Sequence, residues 1–259
     1  MQLACQTITY GDGQHEILDS MLTEIAAAGY HGVEIGFARL VPMDNAHLVD
    51  ILEIQGLELV ASHCGGNLEQ PNEHSDGQPL LEVILERLAR TETRILNYSG
   101  GRYEGAEQLS KSLAMLNRAA QRCADDGVHL CYHNHWWEIE NDGFLIRKLF
   151  DEASPELGFC PDIGWITRGG MAPDEVLEML SERLGIVHLK DIDSATSDPV
   201  EFVEFGEGVV PLKDALSWLR AHCPELWSVA EQDRSKFAPR EAVKRNAVQV
   251  LELARGLEE

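Results

Sequence analysis

The sequence predicts a single (β/α)8 TIM barrel that spans residues 1–259 as one catalytic domain. Short apolar runs alternate with segments of helical length along the whole chain, which is the pattern of a parallel sheet covered by helices. Eight such β–α units follow one another, and the length is close to the roughly 250 residues of one barrel. No Gly-x-Gly-x-x-Gly follows the first apolar run, which argues against an open dinucleotide-binding sheet.

The predicted strands are short apolar runs, and each is followed by a predicted helix. The strands cover 3–9, 33–36, 57–62, 94–98, 128–133, 157–161, 186–189 and 227–231. The helices cover 15–28, 45–55, 77–90, 105–125, 144–153, 173–184, 212–223 and 240–257. Glycine ends the first two helices, and Pro173 suits the first turn of the sixth. The connections 64–78 and 191–211 are too long for simple turns, so they are predicted to be lids or pocket walls.

Composition and charge restrict the classes of partner. The chain is 44% hydrophobic and 25% charged, as in ordinary globular proteins, and its net charge is −23. This charge argues against nucleic acid and anionic membranes, both of which need a basic surface. The first residues carry no basic segment, no apolar run reaches the length of a membrane span, and the six cysteines are dispersed. We therefore expect a cytoplasmic protein with free thiols and a small-molecule substrate.

Polar residues with metal-ligand chemistry stand at the ends of the last four predicted strands. In a barrel these ends surround the pocket, and an ionisable group there costs free energy unless it is used or paired. Oxygen and imidazole donors without thiolate suit one divalent ion, namely Mn, Co, Mg, Fe or Zn. The residues concerned are His133, Asn134 and His135 on the fifth strand, Asp162 on the sixth, His188 on the seventh and Glu231 on the eighth.

Other strand-end residues are candidates for substrate binding. His63 precedes Cys64-Gly65-Gly66, where glycine permits a close approach of a ligand. Asp233 is suited to orient a neighbouring ligand or a substrate hydroxyl. Glu34 is open to two interpretations, a plain ion pair or a functional role. The full set predicted to contact substrate is His63, Asn97, His135, Trp165 and Asp233, with Trp136 and Trp137 as further candidate walls.

The ligand types predict enolisation of a carbonyl compound. A divalent ion that chelates the carbonyl and adjacent hydroxyl of a keto-sugar lowers the cost of the enediolate formed when a base removes the α-proton. Glu231 or Glu138 is the candidate base. Lys190, two residues after His188 and on the same strand face, is a candidate to stabilise the oxyanion or protonate a leaving hydroxyl. Isomerisation, epimerisation and β-elimination of water all remain open.

These segments resemble the sugar phosphate isomerase/epimerase group of xylose isomerase-like barrels, in particular the branch with inosose dehydratase and related keto-sugar enzymes. The resemblance runs through Tyr132-His133-Asn134-His135 with Glu138, Asp162-Ile163-Gly164-Trp165, His188-Leu189-Lys190-Asp191, Phe205-Gly206-Glu207-Gly208 and Glu231-Gln232-Asp233. It implies one divalent ion held by four side chains, of which Asp162, His188 and Glu231 match three. Relatives often carry glutamate where His133 stands, so the fourth ligand is His133 or Glu138. They often have histidine in place of Trp165.

The resemblance implies an isomerase or epimerase of a keto-sugar or keto-cyclitol, with an inosose-type dehydratase or keto-glycoside lyase as the alternative. A non-catalytic sugar-binding or partner subunit is the alternative of another class. The endonuclease IV group shares the architecture but binds DNA at a multi-zinc site, which the charge of −23 and the lack of further histidines around these strands disfavour. Relatives are commonly dimers or tetramers, which implies a homo-oligomer. No Arg-rich phosphate cradle is present, which favours an unphosphorylated substrate.

Overall fold

The computed structural model describes residues 2–256, and within this range eight parallel strands form one sheet in the order β6-β5-β4-β3-β2-β1-β8-β7. The strands are β1 Gln2–Gln6, β2 Gly32–Gly36, β3 Glu58–Gly65, β4 Ile95–Ser99, β5 His129–His133, β6 Gly158–Cys160, β7 Val187–Leu189 and β8 Trp227–Ala230. The helices are α1 Leu18–Ala28, α2 Phe37–Leu40, α3 Asn45–Gln55, α4 Leu80–Arg90, α5 Ala106–Asp125, α6 Trp136–Glu152, α7 Ile163–Gly169, α8 Pro173–Leu180, α9 Leu212–His222 and α10 Pro239–Arg255. None of these helices combines the length and apolar content that a bilayer crossing requires.

The sheet curves into a nearly closed barrel, which confirms the predicted fold. β1 pairs with both β2 and β8, so the two terminal strands of the chain lie side by side. The two edges of the sheet, β6 and β7, meet through the isolated parallel bridges Phe159–Leu184 and Asp162–His188. The amides of Gly185 and His188 donate across this seam to the carbonyls of Phe159 and Pro161, each at 3.0 Å.

Side chains inside the barrel form an apolar layer with a polar layer above it. The apolar layer is a separate buried cluster of small and branched residues: Ala4, Val60, Ala61, Cys131, Cys160, Ile186 and Val229. Every second residue of a strand faces the same side. Two residues beyond Ala61, Cys131, Cys160, Ile186 and Val229 stand His63, His133, Asp162, His188 and Glu231. The strand repeat therefore places these polar residues one layer above the apolar core, at the carboxyl ends of the strands.

Several predicted boundaries differ from the structure, each for a local reason. β1 ends at Gln6 rather than residue 9, because the Gln6 side chain accepts from the Ile8 amide at 2.6 Å and caps a 3₁₀ turn. The helix predicted at 144–153 begins at Trp136 and is interrupted at 140–143, where the backbone leaves helical angles. α7 was not predicted, and the helix predicted at 173–184 ends at Leu180. Residue 257, the last of the predicted closing helix, lies outside the described residues.

The two long connections lie at the carboxyl ends of the strands. Asn72 and His74 of the connection after β3 line the cavity above the barrel, so this connection is a pocket wall. The connection after β7 is folded against the buried Asp191 carboxylate. That carboxylate accepts from the amides of Gly206 at 2.9 Å and of Gly208 and Val210, each at 3.1 Å. Gly206 adopts φ +83°, which a residue with a side chain rarely adopts.

Candidate metal centre

Side chains from four consecutive strands converge at the carboxyl end of the barrel. The ligand atoms of His133, Asp162, His188 and Glu231 all lie within 4.8 Å of one another, and all four residues are buried. His133 Nε2 lies 3.4 Å from Asp162 Oδ2 and 3.7 Å from Glu231 Oε2. His188 Nδ1 lies 2.6 Å from the same Glu231 oxygen. The structure thus brings together the four residues expected to hold an ion, with His133 as the residue from β5.

The cluster fits a divalent cation. Among the described residues, His133 Nε2 and Asp162 Oδ2 are buried atoms that make no hydrogen bond, and Asp162 Oδ2 has the Lys190 ammonium 3.2 Å away as an ion-pair partner. Such atoms cost free energy unless another group satisfies them. Two imidazole nitrogens and two carboxylate oxygens, without thiolate, are a donor set suited to Zn, Mn, Co or Fe. The two carboxylate oxygens of Asp162 have different partners. Oδ1 accepts from the Trp165 amide at 2.9 Å and caps α7, whereas Oδ2 faces the cluster.

Lys190 supplies a positive charge beside these carboxylates. Its Nζ lies 3.2 Å from Asp162 Oδ2, 3.3 Å from Glu231 Oε2 and 2.9 Å from Asp233 Oδ2. Burial lowers the pKa of Lys190, but the three carboxylates outweigh burial and hold the pKa well above its ordinary value. Burial likewise raises the pKa of Glu231, but Lys190 and His188 outweigh it and hold that pKa well below the ordinary value. Lys190 and Glu231 are therefore both charged at neutral pH.

Glu34 is a site residue that the sequence left undecided. It is fully buried, and its carboxylate contacts His188 Nε2 at 2.9 Å and His63 Nδ1 at 3.1 Å. Burial raises the pKa of Glu34, but His188 and the hydrogen bonds from His188 and His63 outweigh it and lower that pKa below its ordinary value. The signal available in the sequence was a lone carboxylate between Val33 and Ile35.

One cavity of about 470 Å³ opens above the cluster. It is lined by four of the five residues expected to contact substrate, His63, His135, Trp165 and Asp233, together with His133, Lys190 and Glu231. The fifth, Asn97, is fully buried and donates to Glu34 Oε2 at 2.7 Å, so the structure places it beside Glu34 instead of on the cavity wall.

His135 and Trp165 line this cavity, whereas Trp136 and Trp137, predicted as further candidate walls, are not among its lining residues. The His135 ring stacks on Trp137 with centroids 4.3 Å apart, and Trp165 lies 5.8 Å away on another side. Burial, with the charges of His133 and Lys190, lowers the pKa of His135 to about 3, so its imidazole is neutral at neutral pH. Among the described residues, His135 Nδ1 has no hydrogen-bond partner. The Arg102 guanidinium lies 4.3 Å from the ring centroid of Trp136.

Glu138 lies outside the four-residue cluster and does not line the cavity, in contrast to its prediction as an alternative metal ligand or base. Its carboxylate accepts from the Tyr132 hydroxyl at 2.9 Å and from the His135 amide at 2.8 Å. The latter bond forms a capping box at the start of α6 and fixes the carboxylate there. Burial raises the pKa of Glu138 to about 7. The helix that the sequence prediction began too late is what holds Glu138 away from the cluster.

Known proteins resemble this chain along most of its length. The rhizopine catabolism protein MocC of Rhizobium meliloti is 26% identical over 68% of this chain, and the match spans 58% of that protein's length. Inosose dehydratase 2 of Bacillus cereus is 24% identical, and the match covers 88% of this chain and 86% of that protein.

Two solved structures share the fold over nearly the whole length. A sugar phosphate isomerase/epimerase from Parabacteroides distasonis aligns with a TM-score of 0.79 at 19% identity, covering 98% of this chain and 95% of its own. The IolI protein, solved with a bound zinc atom, aligns with a TM-score of 0.79 at 14% identity, covering 99% of both chains. The model of the xylose isomerase-like TIM barrel family matches residues 22–253. The chain belongs to this family, as the residues at its strand ends had indicated.

Proposed function

We propose that the protein is an isomerase, epimerase or lyase that enolises a keto-sugar or keto-cyclitol with one divalent ion held by His133, Asp162, His188 and Glu231. The observation that carries this proposal is the convergence of four ligand atoms within 4.8 Å beside an open cavity. The volume of about 470 Å³ suits a small polyol rather than a polymer. The match to inosose dehydratase over 88% of the chain supports a keto-cyclitol as one substrate class.

The bound ion would act as a Lewis acid that polarises the substrate carbonyl. The Glu231 carboxylate, which lines the cavity, takes the proton from the carbon next to that carbonyl. Lys190 Nζ is a charged donor on the same cavity and neutralises negative charge that develops on the substrate. The neutral His135 ring binds a substrate hydroxyl, and the Trp165 ring excludes water from one side.

Two outcomes follow from one enolised substrate. Return of the proton to a carbon of the substrate gives isomerisation or epimerisation. Loss of a β-hydroxyl, with a proton from Lys190 Nζ to the departing oxygen, gives dehydration. The inosose dehydratases among the relatives favour the lyase outcome, and the name of the Parabacteroides distasonis structure favours isomerisation or epimerisation. The zinc atom of the IolI structure makes zinc one of the ions to test beside manganese, cobalt, magnesium and iron.

The six cysteines carry free thiols, and Cys5, Cys64, Cys123, Cys131 and Cys160 are buried. Free thiols persist in a reducing compartment. We therefore place the reaction in the cytoplasm.

The test is turnover before and after removal of metal. Protein treated with chelator is assayed in D₂O by NMR with ketoses, ketose phosphates and inososes, and the five ions are then added back one at a time. Loss of turnover with chelator, its return with an ion and incorporation of deuterium next to the carbonyl support the proposal. Turnover that survives metal removal rejects it.

Variants separate catalysis from simple binding. Asp162→Ala is expected to abolish turnover. The matched control is Glu107→Gln, which alters an exposed carboxylate on α5 paired with Lys111 at 2.7 Å and is expected to leave turnover unchanged. A protein that binds a sugar without metal or turnover, and binds it equally well as Asp162→Ala, is instead a non-catalytic sugar-binding subunit.

A further inference from the structure

We propose that Glu34 is a positioning residue for both imidazole ligands, because hydrogen bonds that end on its carboxylate determine which ring nitrogen of His188 and of His133 faces the ion. This inference rests on the proposed metal site. It concerns a carboxylate on β2, a strand that contributes no residue to the four-ligand cluster.

Two series of hydrogen bonds, here called arms, lead from Glu34 to the two histidines, and the first arm, to His188, is a single direct bond. His188 Nε2 lies 2.9 Å from Glu34 Oε2. An ionised carboxylate accepts hydrogen bonds and donates none, so Nε2 is the nitrogen that carries the hydrogen. His188 Nδ1 lies 2.6 Å from Glu231 Oε2, so it faces the second carboxylate when no ion is bound. An ion bound between them would displace the hydrogen from Nδ1, because Nε2 stays committed to Glu34, and Nδ1 is then the nitrogen that would offer its lone pair. The same relation between a ligand imidazole and a carboxylate fixes the tautomer in many metal sites.

The second arm runs from Glu34 to His133 through two intermediate side chains. Glu34 Oε1 lies 3.1 Å from His63 Nδ1, His63 Nε2 lies 2.7 Å from Ser99 Oγ, and Ser99 Oγ lies 3.3 Å from His133 Nδ1. The carboxylate makes His63 Nδ1 the donor, so His63 Nε2 must accept from the Ser99 hydroxyl. The Ser99 oxygen then accepts from His133 Nδ1–H.

The donor-to-acceptor direction of these hydrogen bonds agrees with the position of the ligand atoms. If Nδ1 of His133 carries the hydrogen, Nε2 is the nitrogen with the lone pair. Nε2 is the atom that lies 3.4 Å from Asp162 Oδ2, and among the described residues it makes no hydrogen bond. Both arms therefore present a lone pair to the same point in the cluster.

Glu34 has no acceptor capacity to spare for other partners. Asn97 Nδ2 donates to Oε2 at 2.7 Å and Gln6 Nε2 donates to Oε1 at 3.5 Å, in addition to the two histidines. A carboxylate has about four lone-pair sites, and these four donors fill them. The side chain is fully buried, so water does not compete for them. The Glu34 carboxylate, which orients both imidazole ligands, is thus itself fixed by four hydrogen-bond donors.

The test reads the ring nitrogens directly. Protein with ¹⁵N-labelled histidine is loaded with Zn²⁺, which is diamagnetic, and the nitrogen shifts of His188 and His133 are recorded among the ten histidines. We expect hydrogen on Nε2 of His188 and on Nδ1 of His133, with the ion on the other nitrogen of each ring. Zn²⁺ affinity is measured in parallel by competition with a chelating dye.

Two variants and two matched controls test the arms separately. Glu34→Gln keeps the shape but replaces one acceptor oxygen with a donor. It is expected to weaken Zn²⁺ binding about 10–100-fold and to change the signals of both histidines. Ser99→Ala cuts only the second arm and is expected to change His133 alone. The controls are Ser62→Ala, whose buried hydroxyl donates to the Ile35 carbonyl at 2.8 Å, and Glu204→Gln, a carboxylate 3% exposed outside the network.

The outcomes distinguish this inference from the proposed function. Wild-type protein that binds no Zn²⁺ and no other ion of the panel contradicts the metal site itself. Wild-type protein that binds Zn²⁺, with a Glu34→Gln variant that binds it equally and shows the same nitrogen signals, overturns the role of Glu34 and leaves the metal site standing. If Glu34→Gln does not fold, Ser99→Ala decides, and unchanged His133 signals in that variant overturn the proposal.

Discussion

The double duty of Asp162 allows its ligand role to be tested apart from its structural role. Oδ1 caps α7 through the Trp165 amide at 2.9 Å, while Oδ2 faces His133 and Lys190. Asparagine is as good an N-cap as aspartate. Asp162→Asn therefore keeps the capping oxygen and replaces the ligand oxygen with an NH₂ group, which has no lone pair for a metal. Asp162→Ala loses both functions and in addition costs about 0.5–2 kcal/mol for the missing cap.

The expected effect is the loss of stabilisation by the ion. An ion present at 100 times its dissociation constant stabilises a folded protein by about 2.7 kcal/mol. For a domain of this size each kcal/mol corresponds to about 2–4 °C in melting temperature, so wild-type protein should gain roughly 5–11 °C. Asp162→Asn should gain roughly 1–2 °C or less at the same ion concentration, because one of four ligands is missing.

The assay is thermal unfolding of chelator-treated protein with each ion of the panel, and calorimetric titration gives the dissociation constants. Comparison of the Asn and Ala variants without ion isolates the cap, and comparison with ion isolates the ligand. A gain in the Asn variant equal to that of wild-type protein refutes the assignment of Oδ2 as a ligand. A wild-type melting temperature that no ion moves refutes the whole centre.

Three further substitutions test the surrounding charges. Lys190→Met removes the ammonium 3.2 Å from Asp162 and 3.3 Å from Glu231. The free energy of unfolding of the ion-free protein, measured in urea, should fall by about 3–5 kcal/mol, because buried carboxylates lose their partner. The variant should bind the ion more tightly by calorimetry, and weaker binding would contradict this. Glu138 has a folded pKa of about 7 against an ordinary 4.5, so the folded state holds this proton more tightly and its contribution to stability falls as pH rises from about 4.5 to 7. Relative to wild type, the free energy of unfolding of Glu138→Gln should therefore rise by up to about 3 kcal/mol between pH 4.5 and 8, with unchanged ion affinity. A difference in stability that does not depend on pH would argue against a buried neutral acid. Glu231→Gln should fold normally but lose at least about 10²–10⁴-fold in turnover, and wild-type rates would exclude it as base and as ligand.

The cluster of four residues could be predicted because its placement depends on a short-range rule. In each of the last four strands an apolar residue inside the barrel is followed two positions later by a residue of the cluster, as Cys160 is followed by Asp162 and Val229 by Glu231. The period of a strand is fixed by backbone geometry, so the sequence alone places both residues on the same face. The choice between His133 and Glu138 needed more, because it depended on where the next helix begins.

The network around Glu34 could not be predicted in the same way. Glu34 is 29 residues from His63 and 154 from His188 in the chain, and their contacts depend on how the barrel closes. A lone carboxylate in an apolar strand is equally consistent with an ion pair and with a role in a site. Asn97 was expected on the cavity wall because it stands at a strand end, but it is buried and donates to Glu34 at 2.7 Å instead.

The seam between β6 and β7 has a consequence for the motion of the barrel. Asp162 and His188 form one of the isolated bridges across it, and both also offer a ligand atom to the cluster. An ion bound there would hold β6 and β7 together, because separation of these two edges would first require release of the ion. Each tenfold gain in affinity would then add about 1.4 kcal/mol against that parting. We expect the amides of Gly185 and His188, which donate across the gap, to exchange with solvent more slowly as the ion occupies its site.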